Sequence, residues 1–173
     1  FLGKVAFSAE VFAEAAKDIR AALRGLAGAA KKLVVLDLDD TLWDVASVMH
    51  SAESTLRDWL ATHAPQLGGV PIEHLWAIRA RLLAAEPDLK HRLSALRRGI
   101  LLLALQEAGY SDHEAEQLAE AGFQVFLEAR HQVSLFAEVH PTLEHLANHY
   151  QLGVITNGNA DVRRLGLADY FQF

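Results

Sequence analysis

Leu33-Val34-Val35-Leu36-Asp37-Leu38-Asp39-Asp40-Thr41-Leu42 is the stretch on which the reading of this chain turns. Four apolar residues run straight into two carboxylates placed two positions apart. A short unbroken apolar run of this kind predicts a strand buried on both faces, as in a parallel sheet. Side chains alternate along a strand, so Asp37 and Asp39 leave it on the same side. In open α/β sheets, ligands gather at the carboxyl ends of the strands. Two acids held there are costly unless a cation, a hydrogen-bond network or a substrate offsets them. The pair therefore points to a metal-assisted nucleophile and an acid–base partner.

On either side of this run the chain changes character. Residues Ser8 to Ala30 carry Val11, Phe12, Ala15, Ile19, Ala22, Leu23 and Leu26 at helical spacing, which predicts an amphipathic helix within an N-terminal extension over 1–32. From residue 45 to 137 the signals are helical. Leu56, Trp59, Leu60 and His63 share one stripe, and Pro71 is placed to open the next helix, with Leu75, Ile78 and Leu82 on one face. Leu89, Leu93, Leu96, Ile100 and Leu103 form a third stripe that closes at Gly109. Ser111-Asp112-His113-Glu114 matches a capping box ahead of Leu118, Phe123, Phe126 and Leu127.

The chain then returns to α/β. Pro141 is expected to start a short helix through Leu143, Leu146 and Ala147. A second apolar run, Leu152-Gly153-Val154-Ile155, ends in Thr156-Asn157-Gly158-Asn159, and Tyr170-Phe171-Gln172-Phe173 looks like the start of a third strand. The expected architecture is an α/β, Rossmann-like core with an incomplete parallel sheet, built from residues 33–44 and 138–173. A helical lobe, 45–137, is inserted after the first strand.

Composition narrows the partners. The 173 residues are 51% apolar and 22% charged, as in an ordinary soluble domain. The formal net charge of −6 gives no basis for expecting nucleic-acid binding. The densest apolar stretch, Ile100 to Leu105, is far shorter than the ~20 residues of a membrane span, so no membrane association is expected. The absence of Cys rules out disulfides, thiolate metal sites and a Cys nucleophile, and it fits a cytoplasmic setting.

The chemistry suggested by Asp37 and Asp39 is phosphoryl transfer. A carboxylate attacking phosphorus splits one difficult displacement into two easier ones. A second carboxyl group can protonate the leaving oxygen and later take a proton from water. Mg²⁺ prefers hard oxygen ligands and binds through one or two carboxylates plus substrate phosphate, so Asp37 and Asp39 are also the candidate metal ligands. Thr156, Asn157 and Gly158 offer a hydroxyl, an amide and a permissive backbone to phosphate oxygens at the end of the second strand, with Thr41 beside the first. Trp43 directly follows the acidic turn and is read either as lining the mouth of the site or as packing. Arg97, Arg98 and Arg130 are weaker phosphate candidates, with solvated helix faces as their default. The nine His residues include no HExxH pair, and His145 and His149 lack the Glu between them.

Asp37-Leu38-Asp39-Asp40-Thr41 and Gly153-Val154-Ile155-Thr156 together resemble the first and second motifs of the haloacid dehalogenase (HAD) superfamily. The resemblance implies Asp37 as nucleophile and Asp39 as general acid–base. It also implies Mg²⁺ on the Asp37 side chain and the Asp39 backbone carbonyl, and Thr156 on the substrate phosphate. The helical insert resembles the family's C1-type cap. Dehalogenase members lack the second Asp of the first motif, so its presence favours phosphoryl chemistry. From Ala84 to Phe173, including Ala85-Glu86-Pro87, Thr156-Asn157-Gly158-Asn159-Ala160 and Gly166-Leu167-Ala168-Asp169-Tyr170-Phe171, the chain is similar to phosphatases of FMN and of 5-amino-6-(5-phosphoribitylamino)uracil. The implied partner is a small phosphorylated metabolite, a flavin precursor or nucleotide-like.

Phe7-Ser8-Ala9-Glu10 and Lys31 through Trp43 instead resemble HAD domains that load glyceryl units onto carrier proteins. Those continue with Gly-Gly after the Trp, where this chain has Asp44-Val45. Glyceryl or acyl transfer is the alternative activity. The family's third-motif Lys and fourth-motif acidic pair are expected beyond Phe173, which makes a catalytically inactive piece the remaining alternative. Lys32 cannot stand in for that Lys, because it lies about 16 Å from Asp37 at strand rise.

Overall fold

Two strands in parallel register set the geometry of everything near the acidic turn. The computed structural model describes residues 32–68 and 70–173. The helix expected over Ser8–Ala30 lies outside the described residues. Strand β1 (Lys32–Leu36) pairs with β2 (Tyr150–Val154), Lys32 opposite Tyr150 and Leu36 opposite Val154. Lys32 thus belongs to the first strand, not to an N-terminal extension, and it sits at the strand end remote from Asp37. The apolar residues Leu33–Leu36 are half-buried, short of the doubly buried strand the sequence suggests. Among the described residues they pair only with β2.

The chain falls into two units, residues 32–44 with 134–173, and residues 45–133. The first is an α/β core around the two-stranded parallel sheet. Between the strands in sequence, helix α5 (Val139–His149) packs against β2 and buries Val139 and Leu143. This helix begins two residues before Pro141, which falls in the first turn, where its missing N–H would have no intrahelical partner anyway. The core also reaches earlier than residue 138. Trp43 bridges Leu135 in antiparallel fashion, and the Phe136 N–H donates to the Leu42 carbonyl at 2.9 Å, so residues 134–137 join the core.

The far edge of β2 is lined by the last residues. After a 3₁₀ turn at Ala168–Tyr170, the Gln172 N–H donates to Leu152 O at 2.9 Å and the Val154 N–H donates to Phe173 O at 3.0 Å. The Gln172 side chain accepts a further bond from the Leu152 N–H at 2.8 Å. The pairing expected from Tyr170 onward therefore begins at Gln172, because Tyr170 is spent on the 3₁₀ turn.

The second unit is a helical cap: α1 (Val45–His63), α2 (Ile72–Ala85), α3 (Leu93–Glu107) and α4 (Asp112–Arg130). Helix α4 packs on α1 and α3, and α3 also packs on α2. The core gathers Ala52, Leu56, Leu101, Leu105, Ala115, Ala119, Phe123 and Phe126. In α3 the buried set is Leu96, Leu101, Ala104 and Leu105, while Leu93, Ile100 and Leu103 are half-buried. A helix packed between two others divides its burial over two faces, which a single-stripe reading misses. Gly122 permits close approach of α1, since a Cβ there would lie 3.3 Å from Leu56 Cδ1 and Trp59 Cζ3. The capping box forms: the Ser111 hydroxyl accepts from the Glu114 N–H, and the Ser111 N–H donates to Glu114 Oε2 at 3.0 Å.

Three surface carboxyls of the cap are held below the usual carboxylate range. Glu107 is lowered first by its hydrogen bond from Arg81, with His74 Nε2 on its other oxygen at 2.6 Å. Glu114 is lowered by the Ser111 hydroxyl and backbone N–H, and Glu120 by Arg98 and then Gln124.

Depressed folded-state values mean these groups favour the fold above the ordinary Glu range of about 4.3 and lose that contribution as pH falls below it. The thermal midpoint of the cap should therefore fall on acidification below about pH 4, and less steeply in Glu107→Gln. Leu105→Ala, which empties a fully buried site, should cost about 2–5 kcal/mol in a denaturant titration. Ser111→Ala should cost about 1 kcal/mol.

Candidate active site at the strand ends

The level register of β1 and β2 brings their carboxyl ends together. The Ile155 N–H continues the ladder by donating to Leu36 O at 3.0 Å, so Asp37 and Thr156 emerge from adjacent strands at the same end of the sheet. Neighbouring strands lie about 4.8 Å apart, a spacing that one phosphoryl group can bridge.

After Asp37 the chain makes a tight reversal. The Leu38 carbonyl accepts from the N–H groups of both Thr41 and Leu42, at 3.2 and 2.9 Å. Asp40 takes a left-handed conformation with φ 59°, which Asp tolerates better than most residues. The reversal returns the backbone beside itself, with Asp39 bridged to Trp43. Thr41 stands exposed on the turn, with its amide in the closing bond.

Both acids are partly buried and hydrogen-bonded. Asp37 Oδ1 accepts from the Leu38 N–H at 2.8 Å. Asp39 Oδ1 accepts from the Trp43 indole Nε1–H at 3.0 Å. Trp43 is fully buried, so it does not line an open mouth. Its bond to Asp39 was not legible as a specific contact. The available signals were that a buried indole N–H needs an acceptor and that four residues separate the pair.

On the second strand, the Thr156 hydroxyl oxygen accepts from the Gly158 N–H at 3.2 Å. That amide is thus engaged with Thr156, whose hydroxyl can still act as a donor. Thr156, Asn157 and Gly158 are all half-buried. Asp161 caps the next turn, accepting from the Arg163 N–H at 2.9 Å.

The remaining candidates lie on α3, α4 and α5. Arg97 pairs with Glu53 at 2.8 Å and lies 3.7 Å over the Phe126 ring. Arg98 pairs with Glu120 at 2.6 Å and lies 3.7 Å over Phe123. Both arginines are engaged within the cap. Arg130 is buried at the end of α4. His149 Nδ1 contacts the His145 carbonyl, the ordinary i,i+4 contact of a helix end.

Among the described residues no group of three or more His, Asp or Glu side chains converges. The donor set at the strand ends is two carboxylates and nearby backbone carbonyls. Such a set suits Mg²⁺, which keeps several waters and takes substrate oxygens, and does not suit a closed zinc site. No helix among the described residues is long and apolar enough to cross a membrane.

The chain is similar to several known proteins. A family model for haloacid dehalogenase-like hydrolases matches residues 31–173. The 5-amino-6-(5-phospho-D-ribitylamino)uracil phosphatase YigB of Escherichia coli K12 is 34% identical over 140 residues, covering 81% of this chain and 59% of that protein. The crystal structure of a 2-haloacid dehalogenase from Pseudomonas syringae pv. Tomato DC3000 is 65% identical with a TM-score of 0.80, covering 83% of this chain and 62% of that one. A magnesium-bound HAD hydrolase of Bacillus subtilis shares the fold at 18% identity and a TM-score of 0.52, over 82% of this chain and 63% of its own. The chain thus spans about three-fifths of the length of each of these relatives.

Proposed function

Because the chain belongs to the haloacid dehalogenase-like hydrolases, we propose that its Asp37 and Asp39 serve a Mg²⁺-dependent phosphomonoester hydrolase acting on a small phosphorylated metabolite. One observation carries the reading: two carboxylates two residues apart at the end of β1, level with a Thr hydroxyl at the end of β2. The similarity to YigB supports a phosphorylated, flavin-precursor-like substrate.

In this reading an Asp37 carboxylate oxygen attacks phosphorus, and the bond from phosphorus to the substrate oxygen breaks. Asp39, protonated, gives its proton to that leaving oxygen. Asp39, now a carboxylate, takes a proton from water as the water oxygen attacks phosphorus. The bond from phosphorus to Asp37 then breaks, releasing phosphate and restoring both acids. The Thr156 hydroxyl, fixed by the Gly158 N–H, donates to a phosphate oxygen, with Asn157 and Thr41 as further contacts. Asp37 and the Asp39 backbone carbonyl would hold Mg²⁺, which when bound offsets the repulsion between an anionic nucleophile and an anionic substrate.

A second reading is dehalogenation, favoured by the 65% identity to a structure described as a 2-haloacid dehalogenase. Displacing halide from carbon releases a stable anion that needs no proton. A carboxyl group positioned like Asp39 is useful where the leaving atom is an alkoxide oxygen, which supports phosphoryl chemistry over this alternative.

In the full-length protein, phosphate release from p-nitrophenyl phosphate should require added Mg²⁺ and stop with EDTA. Asp37→Asn should lower kcat by about a thousandfold or more. Activity that survives Asp37→Asn, or halide release from 2-chloropropionate without phosphatase activity, would sink the phosphatase reading. Thr156→Val should weaken orthophosphate binding roughly ten- to hundredfold, the worth of a hydrogen bond to a charged group, as read by calorimetry.

A further inference from the structure

The indole of Trp43 raises a question that packing alone does not answer. The ring is fully buried, and its Nε1–H donates to Asp39 Oδ1 at 3.0 Å. A position needing only bulk is filled by an apolar side chain with no donor to satisfy. Here the donor is matched to a carboxylate, a group that is expensive to hold away from water. The match is enforced from both sides. The reversal through Asp40 brings residue 43 back to bridge residue 39, and Leu135 bridges residue 43 from the opposite side. The Leu42 carbonyl is tied in turn to the Phe136 N–H.

We propose that Trp43 is the positioning residue for Asp39, its indole N–H holding Oδ1 and so fixing the orientation of the carboxyl group. The inference rests on the phosphatase reading above. The indole bond fixes the rotation of the carboxyl plane. Asp39 then keeps one orientation, both when it gives the proton to the leaving oxygen and when it takes one from water. Fully buried, Trp43 acts through Asp39 and is a positioning residue.

The test compares two phosphate monoesters in the full-length protein. p-Nitrophenyl phosphate loses a stable phenolate and needs little proton delivery. 2-Phenylethyl phosphate loses an alkoxide and depends on it. The readout is kcat/KM, which reports the steps through formation of the acyl phosphate. Trp43→Phe should lower kcat/KM for the alkyl ester about tenfold more than for the aryl ester, and Asp39→Asn should do so by about a hundredfold, within the usual range for general acid catalysis.

Equal losses on both esters in Trp43→Phe, with Asp39→Asn still selective, would overturn the positioning role and leave the phosphatase reading intact. A non-selective Asp39→Asn would overturn both. Incorporating 3-benzothienylalanine at position 43, with sulfur in place of the N–H and the shape kept, gives the same comparison should Trp43→Phe unfold. A readout independent of turnover is the Trp43 indole ¹⁵N–¹H resonance. It should move in Asp39→Asn, and an unmoved resonance would overturn the hydrogen bond itself.

Discussion

The parallel register of β1 against β2 is the constraint on which the rest of the site depends. Five backbone pairs, from Lys32–Tyr150 to Leu36–Val154, end both strands at one level. A slip by one residue would turn every side chain to the other face and separate Asp37 from Thr156. The register is held where the sequence puts its apolar weight. Leu152 is fully buried in β2, α5 packs on that strand through Val139 and Leu143, and the Ile155–Leu36 bond extends the ladder to the edge of the site. Once the strand ends are level, the turn needs only a left-handed Asp40 to fold Trp43 back onto Asp39.

How far this was legible in the sequence depends on the range of the interaction. The two apolar runs, the acidic turn and the capping box at Ser111 are local patterns with local causes; the runs form strands and the box forms at its place, while Leu33–Leu36 are half-buried where a doubly buried strand is expected. The start of α5 moved because Pro is tolerated throughout a helix's first turn and does not mark its first residue. The stripe on α3 was misread because a helix between two neighbours has two apolar faces, and a sequence pattern does not say which neighbour each face meets. The core boundary moved for a tertiary reason, since Leu135 and Phe136 are ordinary apolar residues whose pairing with Trp43 and Leu42 spans about ninety positions of chain. The Trp43–Asp39 bond lies between these cases. Its partners are near in sequence, but they meet only because of the turn geometry.

The charge arrangement bears on how a phosphate could enter such a site. At an effective dielectric of about 20, two unit charges of like sign 4 Å apart repel by about 4 kcal/mol, and a phosphate dianion beside Asp37 meets roughly twice that. Hydrogen bonds from Thr156 and backbone amides, as proposed, would offset part of it but bring no full positive charge. The cap arginines that the sequence suggested as donors are engaged: Arg97 with Glu53 and the Phe126 ring, Arg98 with Glu120 and the Phe123 ring. Drawing either toward a substrate would cost an ion pair and a stacked contact together. The compensating charge is therefore better supplied by a hard divalent cation on the carboxylates themselves, which meets nucleophile and phosphate at once. On this reasoning the spacing of Asp37 and Asp39 is as much an electrostatic solution as a catalytic one. In the proposed reaction, the same short turn that would supply the attacking oxygen would also supply the means of bringing an anion to it.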